Sequence, residues 1–174
     1  KNCINVNHFG RATTTDITEG EISTIGSLYC DFADTGGAMT TLNGIEFATN
    51  LTNLQAINYT LTDISKLSTL PNLSNLYLYN NTIVDATPLS GLVNLQSLEI
   101  QNNDITNISP FTNLINLDYL DIRGNEIYLA SQLELDVHTG FDSRLGGMYL
   151  YDLPSPEEVV IFEDSEMRKC VLNF

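Results

Sequence analysis

The apolar residues in the middle of the chain recur with a fixed period. The dipeptide Asn-Leu appears four times, and each copy begins 22 residues after the previous one, at Asn50, Asn72, Asn94 and Asn116. An apolar residue follows the leucine of each copy after three and after five positions. An asparagine stands after eight positions in every copy but the first, where Tyr59 takes its place. A regular repeat of this length is typical of a solenoid, in which each copy folds as one supersecondary unit.

Each copy predicts a short strand. The two apolar residues that follow Asn-Leu are separated by one position, so they point to the same side of an extended chain. They form two inward columns, namely Leu54, Leu76, Leu98 and Leu120, and then Ala56, Leu78, Ile100 and Ile122. One such strand cannot bury its face alone, so we expect the copies to stack as a parallel sheet over a shared core. The asparagine column is expected to hydrogen-bond the backbone at the turn after each strand.

Short segments join the predicted strands on the convex side. Pro88 and Pro110 lie in these segments and favour short helical turns over strands. The pattern decays at residues 129–133, so we predict four repeats over residues 50–133.

The region before the repeats, residues 1–49, is predicted to be an N-terminal helical cap and cap repeat. A solenoid needs such a cap because its terminal repeat would otherwise expose core side chains. Thr18 and Glu21 have the spacing of a capping box, which predicts the start of a short helix. The segment from Asn2 to Phe9 is expected to form another helix.

The last segment, residues 134–174, has two interpretations. Gly146 and Gly147 followed by MYLYDL predict a turn and a strand. The sequence RKCV at residues 168–171 is similar to KNCI at residues 1–4. The segment therefore either caps the last repeat or begins a further module of a longer protein.

Composition and charge exclude several kinds of partner. A chain of 174 residues with 43% hydrophobic residues is large enough for one domain with a substantial core. Its longest apolar runs are only a few residues, so we expect no membrane insertion. Seven Lys and Arg against 22 Asp and Glu give a net charge of −15, which repels phosphate backbones and argues against nucleic acid as a partner. The first residues have no apolar signal-peptide stretch, so any export signal is expected to have been removed or never present.

The repeats resemble the bacterial 22-residue leucine-rich repeats of the internalin family. The resemblance rests on the Asn-Leu column, the asparagine column, convex turns such as DATPL, and the cap stretches CINVNHFG, DITEGEIS, LYC and TLNGIEFATNLTNL. It covers residues 1–133. It implies an α/β fold: a right-handed leucine-rich-repeat solenoid with a parallel concave sheet, short helical or 3-10 convex turns and a helical N-terminal cap. It also implies an extracellular or bacterial cell-surface protein that holds a host protein on the concave face, often through exposed aromatic residues.

The repeat register selects the side chains expected on the concave face. They are Ile57, Tyr77, Tyr79, Glu99, Tyr119, Asp121 and Arg123. Tyrosines beside charged residues are typical of binding hot spots, so we predict a ligand-binding surface. The alternative is that tyrosine merely favours strands. Arg123 has its own alternative, which is simply to pair with Asp121 or Glu99, and for an exposed pair this contributes little.

The cysteines of the cap leave two states open. Cys3 and Cys30 lie on elements expected to touch, so they either form a disulfide or pack as two reduced thiols. Cys170 is expected to be unpaired in this chain.

No cofactor, metal or catalytic site is predicted. Some related caps carry a calcium loop, but here Thr15 and Ile17 stand where carboxylate ligands are needed, and Gly26 stands where a bidentate glutamate would be. His8 and His138 stand alone, and the sequence has no nucleophile elbow or phosphate-binding loop. The chain is therefore not expected to be an enzyme.

Three functions follow from these observations. We predict foremost a monomeric extracellular module that binds a protein or glycan ligand on its concave face. The first alternative is a structural spacer within a larger bacterial surface protein, with no ligand of its own. The second is a module that targets a catalytic domain elsewhere in the parent protein.

Overall fold

The computed structural model describes residues 17–31, 33, 39–126 and 147–149, and within this part six parallel strands form one sheet in chain order. The strands are Ser27–Asp31 (β1), Asn53–Ile57 (β2), Asn75–Tyr77 (β3), Ser97–Glu99 (β4), Tyr119–Asp121 (β5) and Gly147–Tyr149 (β6). Consecutive strands from β2 to β5 are offset by one repeat, so that Leu54 pairs with Leu76, Leu76 with Leu98 and Leu98 with Leu120. The predicted parallel sheet is confirmed.

Short 3-10 helices connect the strands on the side away from the sheet. They span Ile45–Phe47, Ser65–Thr69, Thr87–Leu89 and Ser109–Asn113. Pro88 and Pro110 stand in the first turn of their helices, where the missing backbone N–H of proline costs no hydrogen bond. The predicted convex turns are therefore confirmed.

The cap is described from residue 17 onward. A short helix, Glu19–Ser23 (α1), begins at Thr18, whose hydroxyl accepts from the Glu21 backbone N–H at 3.2 Å. The Glu21 carboxylate accepts in turn from the Thr18 backbone N–H at 2.9 Å, which confirms the capping box. The helix predicted between Asn2 and Phe9 lies outside the described residues.

The sheet continues beyond the four predicted repeats. β6 pairs in parallel with β5, with Leu120 opposite Met148, although the repeat pattern decays at residues 129–133. The strand predicted after Gly146 is thereby confirmed. The division of the chain at residues 49 and 133 remains a prediction, as does the choice between a C-terminal cap and a further module.

The core lies between the sheet and the 3-10 helices. Leucines of the strands, such as Leu76 and Leu98, and residues of the helices, such as Leu89 and Phe111, are fully buried in one cluster. Full burial of one such side chain contributes about 1.5–3 kcal/mol, and each repeat from residue 72 to residue 115 buries several of them. Each repeat is thus stable only because its neighbours cover its leucines.

A ladder of buried asparagines satisfies the backbone at the turn after each strand. The Asn103 amide donates to the carbonyl oxygens of Leu78 at 3.1 Å and Ile100 at 3.0 Å, and its oxygen accepts from the Ile83 N–H at 3.0 Å. Asn81 and Asn125 make the corresponding bonds one repeat earlier and one repeat later. This inner ladder links each repeat to the one before it, as predicted for the asparagine column.

A second, exposed ladder runs beside the first. Asn58, Asn80 and Asn102 adopt the left-handed conformation, with φ of 62°, 57° and 55°. Each donates to the residue one repeat earlier: Asn102 to Asn80 at 2.8 Å, Asn80 to Asn58 at 2.7 Å, and Asn58 to the Asp31 carboxylate at 2.9 Å. The outer ladder ends at Gly124, which has φ +63° and no side chain to continue it.

Replacing an inner-ladder asparagine is expected to be costly. Asn103 is 5% exposed, and Asn103→Ala removes one acceptor and two donors from the turn and leaves backbone groups there without partners. We expect the free energy of unfolding to fall by about 2–4 kcal/mol. Urea denaturation followed by circular dichroism measures the change. Asn113→Ala, at an exposed position of the same repeat, is the control and should change the free energy little; equal stability of the two variants would contradict this role of Asn103.

Gly124 is expected to tolerate no side chain. In Gly124→Ala a Cβ would be forced into the left-handed region and against the Asn102 side chain. We expect a loss of about 1–3 kcal/mol in the free energy of unfolding. Gly91→Ala is the matched control, because open space surrounds that glycine. A Gly124→Ala variant as stable as Gly91→Ala would show that the glycine is not needed there.

Candidate functional site

The outward side chains of the strands and of the residues just after them form three rows across the sheet, here called the outer face. The first row is Ser27, Asn53, Asn75, Ser97 and Tyr119, and the second is Tyr29, Gln55, Tyr77, Glu99 and Asp121. The third row begins with Asp31 and Ile57 and continues with Tyr79, Gln101 and Arg123, one repeat apart. Backbone hydrogen bonds hold this row in register, including Asn58 N–H to the Tyr79 carbonyl at 3.2 Å. All seven predicted site residues lie on the outer face, because alternation along a strand sends every second side chain outward.

The tyrosines provide the large exposed surface of the outer face. Tyr77, Tyr79 and Tyr119 are partly exposed. Tyr29 was not among the predicted site residues, but it lies in the second row and is 50% exposed. The signal for it was the alternation in residues 27–31, which precedes the corresponding residues of β2 by 26 positions rather than 22.

Ile57 does not present an exposed side chain, and the expectation that it would was wrong. Its side chain is 3% exposed. Asp31 and Tyr79 stand on either side of it in the third row, and the charge of Asp31 acts on the Tyr79 hydroxyl. Ile57 therefore occupies an outward position in the row but offers no exposed side chain to a ligand.

Asp121 is also buried rather than exposed. Its side chain is 1% exposed because Arg123 folds over it. The Arg123 guanidinium donates to both carboxylate oxygens, from Nε at 2.9 Å and from Nη2 at 2.6 Å, and the Arg123 backbone N–H donates at 3.2 Å. Of the two pairings considered for Arg123, the structure shows the one with Asp121. The Arg123 side chain itself remains 41% exposed.

Glu99 lies at the centre of the outer face. Tyr77 is directly opposite it on β3, and Gln101 follows it in the chain, with the Gln101 amide donating to the Glu99 carboxylate at 3.5 Å. The other amide atom, Gln101 Oε1, is buried and accepts no hydrogen bond in the described part of the chain. The pKa of Tyr79 is raised, first because its hydroxyl is partly removed from water and then because Glu99 and Asp31 disfavour a further negative charge.

Hydrogen bonds between neighbouring strands fix the polar part of the first row. The Asn75 amide donates to Asn53 Oδ1 at 2.6 Å, and the Asn53 amide donates to the Ser27 hydroxyl at 3.1 Å. Side chains held in this way lose little entropy when a ligand binds over them.

The remaining sequence predictions are tested only in part. Cys30 is disulfide-bonded. Cys3 and Cys170 both lie outside the described residues, so the pairing of Cys30 with Cys3 stays a prediction. Thr15, His8 and His138 also lie outside them.

Two searches of the described residues concern metals and membranes. No group of three or more His, Cys, Asp or Glu side chains converges there as metal ligands would. None of the helices in the same part of the chain is long and apolar enough to cross a membrane.

The chain is similar to leucine-rich-repeat proteins in both sequence and structure. Residues 93–136 match the family described as leucine-rich repeats (2 copies). The structure of an internalin (inlF) from Listeria monocytogenes is similar, with 26% sequence identity and a TM-score of 0.61. The match covers 76% of this chain and 45% of that one. Internalin C2 from the same species shares 28% identity and a TM-score of 0.52, over 78% of this chain and 68% of that one. No curated protein matches the sequence.

These two solved structures differ in how much of them the chain covers. It spans less than half of the first internalin and about two thirds of internalin C2. The similarity therefore concerns only part of each internalin.

The alkaline titration of Tyr79 tests the electrostatics of the outer face. Subtracting the tyrosinate absorbance of Tyr79→Phe from that of the native chain isolates one of the eight tyrosines. We expect its midpoint above the ordinary value of about 10, and a lower midpoint when Glu99→Gln removes one of the charges that raise it. Because folding raises the pKa of Tyr79, the contribution of this group to the free energy of unfolding is fully present below the pKa of the unfolded chain. It is lost as pH rises through the pKa of the folded chain.

The control for this titration is Tyr77→Phe. In a chain that carries Tyr77→Phe, Glu99→Gln should lower the Tyr79 midpoint by the same amount as it does in a chain with the native Tyr77. A Tyr79 midpoint that does not move in Glu99→Gln would contradict the electrostatic interaction between the two residues.

Proposed function

Because the chain is an internalin-like leucine-rich-repeat protein, we propose that it is a non-catalytic binding module whose outer face holds a ligand through its tyrosines. The ligand is a protein, and the parent protein is secreted or lies on the surface of a bacterial cell. The internalin neighbours support this setting, and leucine-rich repeats in general serve as protein-interaction modules.

The observation that carries the proposal is the placing of four tyrosines on one sheet face. Tyr29, Tyr77 and Tyr119 stand at outward positions of β1, β3 and β5, and Tyr79 follows β3 in the chain. A tyrosine has only two side-chain torsions, so it offers a large contact area at a low entropic cost. Backbone pairing and the two asparagine ladders fix the strands that carry these rings. Interfaces gain affinity from such preorganised aromatic groups rather than from area alone.

The charges of the outer face argue for a protein rather than a nucleic acid or an anionic membrane. Glu99 and Asp31 lie among the tyrosines, and the Asp121 carboxylate compensates the positive charge of Arg123. A polyanion would meet repulsion both there and from the chain as a whole, which carries −15. A glycan that stacks on the tyrosines is the second ligand class to test, because the same rings can pack against a sugar ring.

Removing the tyrosines should abolish binding without unfolding the chain. The triple variant Tyr77→Ala, Tyr79→Ala, Tyr119→Ala loses three partly exposed rings and no residue of the main core. We expect at least about a 10-fold loss of affinity for whichever host cells or glycan-array members the native chain binds. Flow cytometry and the array measure binding, and circular dichroism checks the fold.

The matched control replaces exposed apolar residues away from the outer face. Val84→Ala with Val93→Ala removes two side chains that are 60% and 43% exposed and should leave binding unchanged. Undiminished binding of the folded triple variant would contradict the proposal. A native chain that binds none of the cells or glycans would favour the spacer function.

A further inference from the structure

The outer face contains a negative charge that no cation of the described residues balances. The described cations are Lys66 and Arg123, and both already contact carboxylates. Lys66 lies 3.3 Å from Glu46 at the 3-10 helices, and Arg123 is bound through two nitrogens to Asp121. Glu99 therefore has no cation within salt-bridge distance in this part of the chain.

We propose that Glu99, with Tyr77, Tyr79 and Gln101 around it, holds a lysine or arginine side chain of the protein that binds to the outer face. This inference rests on the proposed function, because it specifies what the ligand presents to the centre of that face. It commits to a cationic side chain of a protein as the occupant of this position.

The tyrosines beside Glu99 suit a cation. Tyr77 is in register with Glu99 on the adjacent strand, and strands lie about 4.8 Å apart, so a group bound to the carboxylate also adjoins the ring. Tyr79 lies close enough to Glu99 for the carboxylate to act on its hydroxyl. A cation over a tyrosine face is attracted by the negative charge density of the ring, and the attraction adds to that of the carboxylate.

Gln101 provides a separate argument for a donor. Its amide nitrogen is directed to the Glu99 carboxylate, which leaves Oε1 as an acceptor without a donor. Rotating the amide by half a turn would place oxygen against carboxylate oxygen, so the orientation found is the favourable one. A lysine ammonium offers three N–H groups and an arginine guanidinium five, enough to reach the carboxylate and, after a small movement of the side chain, this oxygen.

The only cation of the described outer face cannot serve this purpose. Arg123 shares the third row with Gln101, but its guanidinium already donates from Nε and Nη2 to Asp121, which is 1% exposed. Withdrawing Arg123 would leave a buried, uncompensated carboxylate, which is strongly unfavourable. A cation bound at Glu99 would therefore have to come from outside this part of the chain.

The test titrates the isotopically labelled chain with a blocked peptide of repeated Gly-Ser-Arg units and follows backbone amide shifts by NMR. The matched peptide carries citrulline, which is neutral and similar in shape, in place of arginine. We expect the arginine peptide to shift the amides of residues 77–79 and 99–101, and the citrulline peptide to shift them little. Glu99→Gln should weaken binding of the arginine peptide by about 5- to 10-fold.

The control variant separates a specific site from diffuse attraction. Asp104→Asn removes one exposed carboxylate away from Glu99 and lowers the net negative charge by the same amount. It should change the dissociation constant by less than about 2-fold. Equal weakening in both variants, or amide shifts scattered over the whole surface, would overturn the inference and show only attraction to an acidic chain.

The same variants distinguish this inference from the function on which it rests. If binding to cells or glycans is lost in the tyrosine variant but retained in Glu99→Gln, the outer face binds a ligand that places no cation at Glu99. The inference then fails and the proposed function stands. If the native chain binds cells and both variants bind as well as it does, both fail.

Discussion

The backbone groups at the end of each strand must find hydrogen-bond partners, and the rest of the structure depends on how they do so. The chain turns there inside the core, where an unpaired N–H or carbonyl is costly. In every repeat but the first, a single asparagine satisfies donors and acceptors of two consecutive repeats, as Asn81 does with Leu61, Ala56 and Leu78. Because this side chain has a fixed reach, it fixes the offset between repeats. The period of 22 residues in the sequence is thus a constraint of the folded chain, and the inward leucines follow from it.

The same constraint creates the outer face. Once consecutive repeats are held in register, each outward position of one strand stands beside the same position of the next, about 4.8 Å away. Tyr77 and Glu99 are neighbours for this reason, although 22 residues separate them in the sequence. The outer asparagine ladder runs beside the third row and reinforces this alignment. Its hydrogen bonds join Asp31 to Asn102 by way of Asn58 and Asn80. A ligand therefore meets an arrangement that needs little ordering on binding.

The sequence predicted this fold well because the repeat carries it, and it predicted the site less well because neighbours decide exposure. Several features follow from residue type and local spacing alone. They are the inward columns, the asparagine ladder, the capping box at Thr18 and the prolines of the convex turns. Exposure is different, since alternation gives the direction of a side chain but not what covers it. Ile57 stands at an outward position and is nonetheless buried, and Asp121 stands at another and is covered by Arg123. Tyr29 was missed because β1 lies 26 residues before β2 and carries Cys30 where later repeats have an aliphatic residue.

The inward positions of a strand must fill the core, whereas the outward positions need only be compatible with the surface. A fold of this kind can therefore change its surface, and with it its ligand, while the core stays the same. Leu54, Leu76, Leu98 and Leu120 are the same residue in four strands, whereas Gln55, Tyr77, Glu99 and Asp121 beside them all differ. A change at the second set alters the surface without disturbing the core, as long as each buried charge keeps its partner. Asp121 marks the limit of this freedom, because its burial ties it to Arg123 and makes the pair one unit. Tyr77 and Glu99 have no such tie to a buried charge, so substitutions at these two positions can change the outer face without disturbing the core.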